Sequence, residues 1–102
     1  MNTQVTVSFA GQPCQLSFAR YGNGRIALRL FTQEGPMAMA TVNVPCHPLG
    51  PNEVLIKDFA ENQDVLEALV EAGVVRRTGA VCRVGHAEAH VCDLLIEPAD
   101  LH

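Results

Sequence analysis

Between Asp58 and Gly73 the chain reads DFAENQDVLEALVEAG, the single strong helical stretch in a sequence otherwise built of alternating runs and turns. At about 100° per residue, Val65, Leu66, Leu69 and Val70 fall on one stripe. Asp64, Glu67 and Glu71 fall on the opposite side, with Glu61 at its edge. A helix with one oily stripe must lie on an apolar layer, and it leaves its charges to water. Asp58 with Glu61 fits a capping box, and Asn62 is a second N-cap candidate. Gly73 suits the position just past the helix, and Arg76 and Arg77 follow where positive charge favours the C-terminal end of the dipole.

The layer for that helix is legible on its N-terminal side. Val5, Val7 and Phe9 alternate with polar residues, as do Leu16 and Phe18, and then Ile26, Leu28 and Leu30. This period of two marks half-buried strands. Gly11-Gln12-Pro13, Tyr21-Gly22-Asn23-Gly24 and Gln33-Glu34-Gly35-Pro36 separate them as turns. With Met37 to Val44 as the fourth strand, these segments predict an antiparallel meander. Pro45 to Asn52 holds three prolines and a glycine, which excludes regular structure. Glu53 to Lys57, Val74 to Thr78, Ala80 to Val84 and Ala87 to Ile96 read as further strand pieces.

The pattern predicts an α+β fold: a mostly antiparallel β-sheet of about six strands with one amphipathic helix packed on one face. Residues 1–97 form a single domain, and residues 98–102 form a loose C-terminal tail. The expected core is Val5, Val7, Phe9, Leu16, Phe18, Ile26, Leu28, Leu30, Val42, Ile56, Val65, Leu66, Leu69, Val70 and Leu95. At 102 residues, folding hides about two-thirds of the unfolded chain's surface, enough for one core without metal or disulfide support.

Charge divides the chain. Met1 to Asn52 carries three arginines against one glutamate, net +2, whereas Glu53 to His102 carries ten acids against four bases, net −6. A general nucleic-acid binder needs clustered cations, so nucleic acid is not the expected partner. No apolar run is long enough for a transmembrane helix, no basic-then-apolar leader opens the chain, and the expected location is the cytoplasm. Cys14, Cys46, Cys82 and Cys92 are then expected as reduced thiols.

Several short motifs resemble a known family. They are Tyr21-Gly22-Asn23-Gly24-Arg25, Glu34-Gly35, Thr41-Val42-Asn43, Ile56-Lys57-Asp58, Glu61-Asn62, Leu66-Glu67-Ala68-Leu69, Ala72-Gly73-Val74 and Thr78-Gly79. Together they resemble a domain-of-unknown-function family of small bacterial proteins carried on plasmids and other mobile elements. The resemblance spans about residues 20 to 95, in turn, cap and core positions. It brings no activity and no catalytic residue. It implies an accessory protein of a mobile element that acts on the host.

Three chemistries compete for the functional residues. Cys82, His86, His90 and Cys92 are side chains that bind zinc, with Cys46-His47 as possible additions. In an extended strand His86, Glu88, His90 and Cys92 share one face. Strand neighbours two apart sit about 7 Å from one another, and no Cys-x-x-Cys knuckle supports the set. The bland alternative is buried thiols and exposed imidazoles. Nucleophilic catalysis by Cys46-His47 or Cys82 with His86 lacks an orienting third group and an oxyanion turn, so the expectation is not an enzyme. Ser17, Tyr21, Arg25, Arg29 and Phe31 form an Arg–aromatic strand face, with too few cations for single-stranded nucleic acid.

The acidic face of Asp64, Glu67 and Glu71 is either a solvated face or a docking surface for a basic protein partner. The leading expectation is a non-catalytic protein-binding accessory factor, an anti-defence candidate that inhibits a CRISPR-type complex. A zinc-stabilised module and a homodimer joined through an open sheet edge are the alternatives.

Overall fold

The computed structural model describes residues 5–96. Its first half is the meander that the alternation predicts. β1 (Thr6–Phe9), β2 (Gln12–Arg20), β3 (Ile26–Thr32) and β4 (Gly35–Met39) form one antiparallel sheet in the order β1-β2-β3-β4. The first reversal is a tight pair, Ala10 and Gly11, both with positive φ. The chain then enters β2 at Gln12, two residues earlier than the turn Gly11-Gln12-Pro13 implied.

The second half departs from the expected single sheet. β5 (Glu53–Ile56), β6 (Val75–Val84) and β7 (Ala87–Leu94) make a separate three-stranded antiparallel sheet in the order β5-β7-β6. Among the described residues there are thus seven strands in two sheets, not about six in one. Residues 40–42 join the two. Ala40 N–H donates to Leu28 O, Lys57 N–H donates back to Ala40 O, and Val42 N–H donates to Leu55 O. Thr41 bridges to Ile56. The fourth strand predicted to run to Val44 stops at Met39 because the next residues change partners from β3 to β5.

The helix α1 (Val65–Glu71) is shorter than the predicted segment. A single 3₁₀ turn, Ala60–Asn62, precedes it. Ala60 and Asp64 both take left-handed backbone angles, φ 57° and 76°, which no continuous α-helix tolerates. Neither predicted N-cap acts as an adjacent cap. Asp58 reaches forward instead, and its Oδ1 accepts the Leu66 N–H at 3.1 Å. Asn62 is buried and donates from Nδ2 to Met39 O at 2.6 Å, tying the 3₁₀ turn to β4. The C-terminus follows expectation. Gly73 (φ 75°) donates to Val70 O and Val74 donates to Leu69 O, the paired bonds of a Schellman ending.

α1 does not lie flat on one sheet face. It packs against β1 and β6, one edge strand of each sheet. Its buried residues are Val65, Leu66, Ala68 and Leu69, so Ala68 joins the predicted stripe while Val70 is only half-buried. The main core combines Val7, Phe9, Leu28, Leu30, Val54, Ile56, Val75, Cys92 and Leu94 with these helix residues. Val5, Leu16 and Phe18 pack on its margin. Leu95 is 50% exposed and is not a core residue, because β7 ends at Leu94.

A smaller core lies on the far side of the second sheet. There Leu55, Cys82, Ala89 and Val91 are covered by Val42, Val44 and Leu49 from the connection between β4 and β5. Arg25 fastens that connection: its guanidinium donates to Val44 O at 2.7 Å, His47 O at 2.6 Å and Pro45 O at 3.3 Å. A fork of donors set against several carbonyls holds an irregular loop that has no ladder of its own.

Sheet edges are blunted in three ways. β1 faces the helix, and β4 is engaged by Asn62. Among the described residues β6 pairs only with β7, and its register breaks where Thr78, Gly79 and Ala80 face Val91 alone. The Thr78 hydroxyl donates to Val91 O at 2.8 Å and accepts the Ala80 N–H at 3.2 Å. This bulge, flanked by arginines, makes β6 a poor template for edge-to-edge pairing. The tail assigned to residues 98–102 lies outside the described residues.

Candidate functional site

The helix orients its carboxylates because its other side is locked. Val65 and Leu69 are fully buried, so rotation about the helix axis would expose them. Asp64, Glu67 and Glu71 accordingly point to solvent, as does Glu61. Not all of this charge is unopposed. Arg77 Nη2 sits 2.7 Å from Glu67 Oε2, and Lys57 Nζ sits 2.7 Å from Glu61 Oε1. The hydrogen bond from Lys57 holds the Glu61 carboxyl below its ordinary range. Asp64 and Glu71 make no ion pair among the described residues. The arginines after Gly73 therefore serve differently from the sequence expectation: Arg77 returns to the middle of the helix face, and Arg76 pairs with Asp93 at 2.9 Å.

The four zinc-type side chains are not brought together. The register sets Cys82 opposite Ala89, and hence on the face of the second sheet that carries Val91 and Leu55. His90 and Cys92 alternate onto the other face, where Cys92 joins the main core. His86 lies in the turn before β7 and is exposed. The expected shared face of His86, Glu88, His90 and Cys92 fails at both ends, since His86 leaves the strand and Cys92 is sealed inside. Among the described residues no group of three or more His, Cys, Asp or Glu side chains is arranged to hold a metal ion. Of the other proposed pair, Cys82 is buried and His86 is exposed in the turn. Cys46 and His47 sit in the stapled loop, with Cys46 exposed.

The thiols divide sharply by burial. Cys14, Cys82 and Cys92 are buried and only Cys46 is exposed. Burial pushes the Cys14 thiol up, and it pushes Cys92 from its ordinary 9.0 to about 11. A raised thiol pKa stabilises the fold below pH 9, and that contribution is lost as pH climbs toward 11, where the folded thiol also ionises. At pH 8 the native protein is expected to release one equivalent promptly with an aromatic disulfide reagent, from Cys46. The other three should react only at the rate of unfolding. Four fast thiols in the native protein would contradict this burial pattern.

Clefts open beside the sheets among the described residues. One, about 590 Å³, opens between the β1–β2 and β3–β4 turns and is lined by Gln12, Gln15, Phe31 and Gln33 among others. The second, about 460 Å³, lies between β4 and the 3₁₀ turn, with Met37, Met39 and Asn43 on its walls. The expected Arg–aromatic strand face is broken up. Tyr21 OH bonds to Thr41 Oγ1 at 2.9 Å and Arg25 turns to the loop, which leaves Ser17, Arg29 and Phe31. The roles of Arg25, Thr41 and Asn62 were not foreseen, because each partner lies far along the chain and no local motif marks it.

Comparison with protein-family models, with curated proteins and with solved structures finds no match to the chain.

Proposed function

We propose that the protein is a non-catalytic binding factor that docks on a basic surface of a partner protein through the outward side of α1. The observation that supports this reading is the outward display of Glu67 and Glu71 on α1, with Asp64 exposed at its N-cap, on a helix whose opposite side is anchored to both sheets. Carboxylates held in fixed positions attract a basic surface over about 8–10 Å at moderate salt, which favours productive encounter over random contact. The motif resemblance implies a host-acting accessory protein of a mobile element, and analogy with mobile-element proteins that disarm host defence names the kind of partner: a defence complex, CRISPR-type effectors included, whose nucleic-acid-binding surface is basic.

The test is a quantitative capture from host lysate with wild type and the Asp64/Glu67/Glu71 triple alanine variant as parallel baits. Exposed charge contacts contribute up to about 1 kcal/mol each, so the triple variant is expected to bind the same partner about tenfold or more weakly. The wild-type interaction should also weaken as salt rises. Equal affinity of the two baits would refute the helix face as the contact.

A further inference from the structure

The outer face of the first sheet carries an arginine whose bonding is incomplete. Arg29 sits mid-strand on β3, with Ser17 opposite it on β2 and Met39 opposite it on β4. One row along, Phe31 pairs with Gln15, which in turn pairs with Thr6 of β1. Arg29, Phe31 and Met39 belong to neither core cluster, and Met39 is 43% exposed. The guanidinium lies 5.4 Å from the centre of the Phe31 ring. Its Nε is shielded from solvent yet donates to no acceptor among the described residues. Arg20 and Arg25, the other arginines of this half, both donate to backbone carbonyls. A buried donor without an acceptor is rare enough in folded proteins to call for an explanation.

The geometry points to this face as a docking site for an extended segment of a partner protein, with one partner carboxylate received by Arg29. Charge complementarity chooses the occupant. A planar guanidinium stacked on an aromatic ring is pre-set for a carboxylate. A polyphosphate backbone would need several such cations, and Arg29 is the one arginine of this half without a hydrogen bond among the described residues. Beside it the cleft of about 590 Å³ offers the amides of Gln12, Gln15 and Gln33 to a peptide backbone and the Phe31 ring to a side chain. Glu34 lies on the same cleft wall, so the partner residue entering there is not acidic and the partner carboxylate stays at Arg29. This site is distinct from the acidic side of α1 and takes a partner group of the opposite sign.

Titration of the ¹⁵N-labelled protein decides the matter. The probe is a blocked octapeptide with one central glutamate among leucine, serine and asparagine, beside its glutamine counterpart. The Arg29 Nε–Hε resonance is expected to shift saturably with the glutamate peptide, and the glutamine peptide should bind about tenfold or more weakly. R29K, which keeps the charge but not the fork, should fall between wild type and R29Q. The Asp64/Glu67/Glu71 triple alanine variant should bind the peptide as wild type does, which separates this site from the helix face. Equal affinity for the two peptides overturns the proposal, as does the absence of a saturable shift. So does a full shift produced by acetate or inorganic phosphate at the same concentration, which would show a bare anion contact only. Should R29Q fail to fold, the two-peptide comparison on wild type still decides.

Discussion

Replacing Leu69 by alanine is expected to lower the unfolding free energy by about 2–5 kcal/mol, the range for deleting a fully buried leucine side chain. Leu69 has no exposed surface and sits where α1 meets β1 and β6. The site has little room to collapse, because the helix is fixed at both ends: by Asp58 at Leu66 N–H and by the Gly73 and Val74 bonds at the C-terminus. A small domain holds only about 5–15 kcal/mol in total, so the variant should show a large drop in urea midpoint. A change near zero in that titration would mean that Leu69 does not face the core.

A second large effect is expected at Thr41, whose hydroxyl serves the first sheet while its backbone reaches the second. Thr41 is 2% exposed. Its Oγ1 accepts the Leu28 N–H at 3.2 Å and meets Tyr21 OH at 2.9 Å, while its backbone bridges to Ile56. Thr41→Val keeps the shape and removes the acceptor. Leu28 N–H is then buried without a partner, a cost of about 1–3 kcal/mol. Because volume is conserved, a loss in this range separates the hydrogen bond from packing. An unfolding midpoint equal to wild type would show that the amide finds another acceptor.

The division between what the sequence revealed and what it concealed follows the range of the interactions. The meander was legible because alternation and tight turns are set within a few residues. The stripe Val65, Leu66, Leu69 was legible for the same reason, and so was the Gly73 ending. The helix start was misplaced because two left-handed residues and a remote cap do not register as periodicity. The split into two sheets depends on residues 40–42 exchanging β3 for β5, which no local pattern encodes. The acidic residues were found and correctly turned outward, but the Glu67–Arg77 pair crosses from helix to strand and was missed. Alternation along β7 alone does not place the Cys82, His86, His90, Cys92 set. The pairing of β7 with β6 places Cys82 on the opposite face.

That missed pair supplies the sharpest test of the helix face as a contact. Arg77 Nη2 lies 2.7 Å from Glu67 and offsets one of the three outward acids. Both side chains are about half exposed or more, at 47% and 60%, so R77Q should change stability by no more than about 1 kcal/mol. It should raise the negative potential of α1. The decisive measurement is the equilibrium affinity of R77Q for the partner captured by wild type, at low and at physiological salt. The account predicts tighter binding than wild type, with the gain shrinking as salt rises. Binding that is unchanged or weaker at both salt concentrations would contradict it.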